Sequence, residues 1–287
     1  EQGATSDTYT IVLDKQPTAS VTITVDPDND TDAGAGAGTA FDLVFTTLNW
    51  NVARQVTVTA VDDMISEGPH VSTITHTAVS ADTTYNGISI ASVLANVTDN
   101  DAVGVTITQS GGTTSVNELG ATSDTYTIVL AAQPSADVDI TVDPDTQTDL
   151  GSGPGTAIVL TFTNGNWSTP QTVTVTAVDD AIAEGAHSST ITHTAASADT
   201  RYNGISISNV VASVADNDTA GVSITQSGGS TNVNETGATS DTYTIVLDSM
   251  PTADVTVTVD PDAQTDLGSG PGVAVVLTFT NMTWNTA

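Results

Sequence analysis

The sequence predicts an all-β protein made of tandem immunoglobulin-like antiparallel sandwiches, and three observations support this prediction. A long segment recurs along the 287-residue chain. Each copy contains short runs in which apolar and polar residues alternate, which is the period of a half-buried strand. Clusters of Gly, Asp, Asn and Pro separate these runs, and no segment has the 3.6-residue period of an amphipathic helix.

The repeat is defined by a string that occurs three times. GATSDTYTIVL occupies residues 3–13, 120–130 and 237–247, so successive copies begin 117 residues apart. A period of this length is a whole domain and not one coil of a solenoid. We expect the chain to belong to a longer array. It then divides into a repeat that lacks its first strand (1–101), a complete repeat (102–218) and a repeat that lacks its C-terminal half (219–287).

The complete middle repeat predicts seven strands. They fall at residues 103–109, 125–130, 138–142, 159–163, 172–178, 189–194 and 205–214. Seven antiparallel strands in roughly 100 residues are typical of an immunoglobulin-like sandwich. A separate small barrel is the structural alternative. We expect successive domains to lie end to end, because only Thr219 and Ala220 separate the middle repeat from the next strand.

The charge balance excludes several classes of partner. The chain has 34 acidic residues against three Lys or Arg, and its formal net charge is −31. Such a surface repels phosphate backbones and anionic lipid, so we expect no nucleic-acid partner. The absence of cysteine excludes disulfides and thiolate-bound zinc. No run of 18 or more apolar residues occurs, so we expect no membrane-spanning segment.

Acidic residues collect where predicted strands begin or end. In the middle repeat Glu118 stands in VNE before a strand, DDAIAE at residues 179–184 follows a strand, and DND at 216–218 follows the last strand. We expect these motifs to meet at one pole of the sandwich, where their carboxylates repel unless a hard cation lies between them. Ca²⁺ accepts about six to eight flexible oxygen ligands, whereas Mg²⁺ demands a stricter octahedron. The motifs therefore favour Ca²⁺.

These three motifs, in this order and in a β-rich context, resemble the Calx-beta domain, a module found in many bacterial surface proteins. The resemblance covers the whole chain. It implies calcium ligands in the three copies at Glu1, Asp62, Asp63, Glu67, Asp99, Asp101, Glu118, Asp179, Asp180, Glu184, Asp216, Asp218 and Glu235. Glu235 is the only member of this set in the third copy.

The chain departs from the Calx-beta pattern in three places. Three residues after the loop glutamate, where the family often has a further acidic residue, stand His70 and His187. The middle residue of the terminal motif, often acidic in the family, is Asn100 in the first copy and Asn217 in the second. A glycine-rich stretch, DPDTQTDLGSGPG, replaces the family's central acidic loop, and Asp143 or Asp145 is a candidate substitute ligand there. Fewer acidic residues per site imply fewer ions or weaker binding than in the Calx-beta domains of animal proteins such as the sodium–calcium exchanger.

The histidines are assigned mainly structural roles. His76 and His193 lie in phase with neighbouring isoleucines, so we expect them to face inward and to be hydrogen-bonded. His70 and His187 follow the acidic loop and are expected near the calcium pole, but imidazole is a poor ligand for a hard ion. The tryptophans and strand tyrosines are expected to pack against the core.

Together these features predict a calcium-stiffened structural segment of a bacterial stalk, fibre or adhesin that is secreted or lies on the cell surface. The bacterial origin rests on the resemblance and on the near-identity of the repeats. The expected partners are calcium ions and neighbouring repeats or chains of the same protein. No catalytic motif is present, so we expect no enzyme. The alternatives are a receptor- or carbohydrate-binding adhesin domain and a calcium-sensor module.

Overall fold

The computed structural model describes residue 1, residues 5–237 and residues 239–287, and twenty strands account for its regular structure. Alternating Val or Ile with Thr places apolar side chains on one face of each strand, which is the face that becomes buried. The helical elements among these residues are two three-residue 3₁₀ turns. No helix in the described part of the chain is long and apolar enough to cross a membrane.

The first repeat contributes seven strands in two sheets. They are β1 (Ser6–Ile11), β2 (Val21–Pro27), β3 (Thr31–Asp32), β4 (Phe41–Phe45), β5 (Arg54–Ala60), β6 (His70–Ser80) and β7 (Val93–Val97). One sheet has the order β1-β5-β3 and the other the order β4-β2-β6-β7.

The middle repeat is a sandwich with nine strands. They are β8 (Val105–Gln109), β9 (Thr114–Asn117), β10 (Ser123–Leu130), β11 (Val138–Pro144), β12 (Thr148–Asp149), β13 (Ile158–Phe162), β14 (Gln171–Ala177), β15 (His187–Ser197) and β16 (Val210–Ala215). The sheets β12-β14-β10-β8 and β13-β11-β15-β16-β9 enclose one apolar core. Because the two sheets remain separate, the repeat is a sandwich and not a closed barrel.

The predicted all-β fold is confirmed, but two strands were missed, several strand boundaries differ, and one strand runs in an unexpected direction. Sequence analysis missed β9 and β12, which are too short for alternation to be recognised. The last predicted strand starts at Val210 instead of residue 205, because residues 205–209, which follow a turn, pair with no neighbouring strand. β9 also breaks the expected antiparallel pattern, since it runs parallel to β16.

The third repeat contains two separate ribbons, β17 (Val222–Gln226) with β18 (Tyr243–Leu247) and β19 (Val255–Val259) with β20 (Val275–Phe279). A cavity of about 1050 Å³ is lined by residues of both ribbons, among them Ile245 and Phe279. Val255, Val257 and Val259 of β19 are only half-buried, whereas the residues one period earlier, Val138, Ile140 and Val142, are fully buried. The inner face of the third repeat is therefore only partly covered by the described residues.

We expect backbone amides of β18 to exchange with deuterium faster than those of β10, the same strand one period earlier. β10 pairs with strands on both sides, whereas β18 pairs only with β17 among the described strands. Hydrogen exchange with mass spectrometry measures the difference on near-identical peptides. Equal protection would mean that the third repeat completes its own sandwich, and the repeat boundaries would then be wrong.

The inward-facing histidines are confirmed as hydrogen-bonded core residues. Nε2 of His193 lies 3.0 Å from the Tyr126 hydroxyl, and its Nδ1 lies 3.0 Å from the carbonyl oxygen of Ser208. The first repeat has the same arrangement, with 2.8 Å between Tyr9 and His76. A neutral ring that donates from Nδ1 and accepts at Nε2 satisfies both contacts.

We expect the free energy of unfolding of the middle repeat to fall as pH decreases below about 6.5. Burial lowers the pKa of His193, so the unfolded chain takes up this proton at a higher pH than the folded chain does. His193→Gln should retain the polar contacts and reduce this pH dependence. Denaturant titrations at several pH values measure the free energy of unfolding of the parent chain and of the variant. If this free energy depended on pH equally in both, the assignment to His193 would be contradicted.

Candidate metal centre

The acidic motifs of the middle repeat meet because β9 and β16 run parallel. In this pair Asn117 lies opposite Ala215, so both strands end together and Glu118 comes next to the DND motif. The backbone N–H of Glu118 donates to the carbonyl of Ala215 at 3.1 Å. As a result, one carboxylate oxygen from each of Glu118, Asp216 and Asp218 lies within 4.8 Å of the others.

A second group is centred on the same glutamate. Ligand atoms of Glu118, Glu184 and His187 also lie within 4.8 Å of one another. Glu184 comes from the loop between β14 and β15, and His187 is the first residue of β15. Nε2 of His187 is 3.5 Å from a carboxylate oxygen of Glu184. Glu118 therefore connects the loop to the DND motif.

The first repeat reproduces the glutamate–histidine group one period earlier, but its other group contains Asp62 in place of Asp99, the counterpart of Asp216. Glu1 is grouped with Asp62 and Asp101, and separately with Glu67 and His70. Nε2 of His70 lies 3.6 Å from Glu67 and also 3.6 Å from Asp30.

Asp30 is a site residue that sequence analysis did not select. The corresponding residue in the middle repeat is Gln147, whose amide donates to Glu184 at 3.1 Å. The sequence did contain a signal for this position, because the otherwise similar loops of the two repeats differ here, with aspartate in one and glutamine in the other.

Several carboxylate oxygens at these poles are buried without a hydrogen-bond partner. They belong to Glu118 and Asp218 in the middle repeat and to Glu1 and Asp101 in the first. The Glu118 residue is only 1% exposed. Burial, followed by the nearby charge of Asp216, raises the pKa of both Glu118 and Asp218. A cation would provide the missing partner and relieve the repulsion, so these donors fit a hard metal ion.

Asp216 fixes the geometry of the pole through backbone hydrogen bonds. Its carboxylate accepts from the N–H groups of Gly185 at 2.5 Å and Asp218 at 2.7 Å. These bonds lower the pKa of Asp216, so its carboxylate stays ionised. They also join the β14–β15 loop to the end of β16. Asp99 does the same in the first repeat, with Gly68 at 2.5 Å and Asp101 at 2.7 Å.

The first acidic residues of the loop lie beside these groups. Asp180 accepts from the backbone N–H of Ile182 at 2.7 Å, and its charge raises the pKa of both Glu118 and Asp218. Asp63 accepts from the N–H of Ile65 at 2.7 Å in the same way.

Asn217 contacts the same loop. Its side-chain amide donates to Asp179 at 3.1 Å and so acts as a donor within the cluster. Asn100, its counterpart in the first repeat, makes no side-chain hydrogen bond to the cluster among the described residues, and it belongs to none of the metal-competent groups found there.

Three further candidates lie apart from these groups. The Asp145 carboxylate accepts from the Ser189 hydroxyl at 2.6 Å and the Thr190 N–H at 2.7 Å, so its oxygens already serve the fold. Asp143 is exposed on β11, outside the metal-competent groups found among the described residues. Glu235 is also exposed and outside them, in a repeat whose chain does not include the later motifs.

The loop that carries these acidic residues also contacts the following repeat. The N–H of Gln133 donates to the carbonyl of Met64 at 2.7 Å, and the N–H of Met250 donates to the carbonyl of Ala181 at 2.6 Å. Gln133 and Met250 occupy the same position in successive repeats, and so do Met64 and Ala181. The same hydrogen bond therefore forms at both junctions between repeats. The contact was not visible in the sequence because it uses backbone groups.

Comparisons with known proteins give low similarity. No protein-family model matches the chain, and no curated protein sequence matches it. Among solved structures, CBD12 from CALX1.2 and the calcium binding domain CBD12 of CALX1.1 are each 12% identical, with a TM-score of 0.31, over 73% of this chain and 92% of theirs. The major pilin subunit BcpA (D312A) of Bacillus cereus is 10% identical, with a TM-score of 0.24, over 96% of this chain and 85% of its own. Similarity at this level assigns no function to the chain.

We expect Glu118→Gln to have opposite effects on stability with and without calcium. In chelator the change removes a buried charge that faces other carboxylates, so it should stabilise the protein by about 1–3 kcal/mol. In saturating calcium it removes a ligand and should lower the melting temperature relative to the parent chain. Thermal unfolding in both media measures the two effects.

Asp137→Asn is the matched control, since it removes one negative charge from an exposed side chain away from the pole. It should change stability little in either medium. A Glu118→Gln effect of the same sign in both media would assign Glu118 a purely structural role.

Proposed function

We propose that this chain is a calcium-binding structural segment of a bacterial stalk, fibre or adhesin that is secreted or displayed on the cell surface. The observation that supports it best is Glu118, a buried carboxylate with an unpartnered oxygen at the meeting point of two acidic groups. Its counterpart Glu1 occupies the same position in the first repeat. Calcium is favoured over magnesium because the donors are several flexible carboxylates from three separate segments.

In the middle repeat the proposed ligands come from three elements. Glu118 follows β9, Glu184 belongs to the β14–β15 loop, and Asp216 and Asp218 follow β16. Asp179 and Asp180 lie next to them in the loop. Without an ion the carboxylates of these residues repel one another. A bound calcium ion attracts all of them and so holds the three elements together.

The first repeat is proposed to bind calcium through the equivalent residues. They are Glu1, Asp62, Asp63, Glu67, Asp99 and Asp101, with Asp30 as an additional acidic group. In the third repeat Glu235 is the only residue of the set, so no complete site is proposed there.

Calcium would also stiffen the joint between repeats. The acceptor Met64 lies between the proposed ligands Asp63 and Glu67, so an ion that fixes the loop also fixes the carbonyl that contacts the next repeat. On the other side only Thr219, Ala220 and Gly221 separate the DND motif from β17, the first strand of the third repeat. Both connections favour repeats arranged end to end as a rod.

An extracellular location fits the chemistry of the proposed sites. Extracellular calcium modules commonly bind at about 10⁻⁴–10⁻³ M, concentrations at which the ion is available outside cells. The strongly acidic surface is also best tolerated where divalent cations or salt are abundant. We propose a structural and not a catalytic role, because the same acidic set recurs in each of the first two repeats.

We expect small-angle scattering to show an elongated particle in millimolar calcium and a broader or shorter distribution in chelator. A seven-residue strand spans about 23 Å, so with its loops one sandwich is about 40 Å long and the chain is on the order of 100 Å. Without calcium, repulsion at each pole should loosen the joints between repeats.

Calorimetric titration of the metal-stripped chain with Ca²⁺ and with Mg²⁺ is the accompanying control. Saturable binding that prefers Ca²⁺ should accompany the change in shape. A lack of binding at millimolar calcium, or a compact globule in calcium, would overturn the proposed function.

A further inference from the structure

Arg201 reaches from the middle repeat to the first repeat. It lies in the turn that follows β15, and its Nη1 donates to the carbonyl oxygen of Ser66. Its Nε and Nη2 each donate to the Asp199 carboxylate at 3.0 Å. Asp199 is only 3% exposed, so the guanidinium is held firmly within its own repeat while it extends outward.

The partner of Arg201 is the acidic loop of the preceding repeat. Ser66 is two residues beyond Met64, which accepts the backbone bond from Gln133. The hydrogen-bonded carboxylate of Asp199 is the main cause of the raised pKa of Arg201, and the negative charge of Glu67 in the same loop adds to it. The middle repeat therefore holds this loop at two points, one through a backbone amide and one through a charged side chain.

We propose that Arg201 is a specificity-determining clamp that fixes the orientation of the preceding repeat by binding its DDxxxE loop. A single hydrogen bond between two repeats lets them rotate about that bond. A second contact restricts this rotation when it comes from a planar guanidinium that is also hydrogen-bonded within its own repeat. The inference rests on the proposed structural role of the repeats, but it requires no bound calcium.

The first repeat shows that the turn itself does not need arginine. The residue at the equivalent position is Thr84, whose hydroxyl donates to Asp82 at 2.6 Å and whose N–H donates at 3.0 Å. Threonine thus stabilises the same turn without extending toward another repeat. Arginine or threonine at this position would distinguish clamped from looser junctions, so the stiffness of an array would depend on the order of its repeats.

The test measures the distance between the first two repeats in Arg201→Thr, the residue that the first repeat itself uses. The chain has no cysteine, so Thr57→Cys and Thr174→Cys add two spin labels at exposed, equivalent positions. Double electron–electron resonance in calcium should give a narrow distance distribution with Arg201 present. We expect Arg201→Thr to broaden this distribution and Arg201→Lys to give an intermediate width.

Arg54→Gln is the matched control, because it also removes one positive charge and introduces the residue found one period later, Gln171. It should leave the distribution narrow. Unchanged width in Arg201→Thr, or equal broadening in Arg54→Gln, would overturn the clamp.

Calcium binding is measured on the same variants by calorimetry. Arg201→Thr should retain the stoichiometry of the parent chain, so loss of the clamp and loss of the calcium sites can be told apart. If Arg201→Thr unfolds the middle repeat, the thermal transition of that repeat is lost. The distance distribution of Arg201→Lys is then compared with that of the parent chain.

Discussion

The candidate metal centre depends on the short parallel pairing of β9 with β16. Antiparallel neighbours carry successive strand ends to opposite poles, but a parallel pair ends at the same pole. Because Asn117 lies opposite Ala215, the next residues of both strands, Glu118 and Asp216, are placed side by side. The carboxylate pair is thus produced by backbone hydrogen bonds, and its repulsion is opposed by the core that both strands help to cover.

This pairing also explains why a buried glutamate is tolerated. Thr114 and Val116 of β9 are almost completely buried, so the strand is anchored immediately before Glu118. The same anchoring removes Glu118 from water and leaves one oxygen without a partner. A site that is unfavourable when empty is favourable for a divalent cation, because the ion gains ligands that have already been desolvated and oriented.

Much of the fold could be predicted from the sequence, since the repeats and the Val–Thr alternation report directly on strand faces. The acidic motifs were also recognisable, because they recur at the same strand ends. The role of β9 could not be predicted, as four residues carry too little periodicity to define a strand or its direction. Likewise, the hydrogen bonds that occupy Asp145 involve Ser189 and Thr190, which are distant in sequence. Long-range pairing of this kind leaves no local pattern.

The near-identical repeats differ at two positions that belong to the proposed site and the proposed joint. Most core residues are the same in the first two repeats, because a changed core side chain disturbs its packed neighbours; the exceptions include Ala33, which corresponds to Leu150. Asp30 and Gln147 differ at the pole, and Thr84 and Arg201 differ at the junction. The first of these changes alters the charge around the proposed ion, and the second changes what a turn can reach. Both positions are loops in which the backbone is held by other residues, so the side chain is free to vary. In a repeat array, such positions allow each site and each joint to be adjusted without altering the fold.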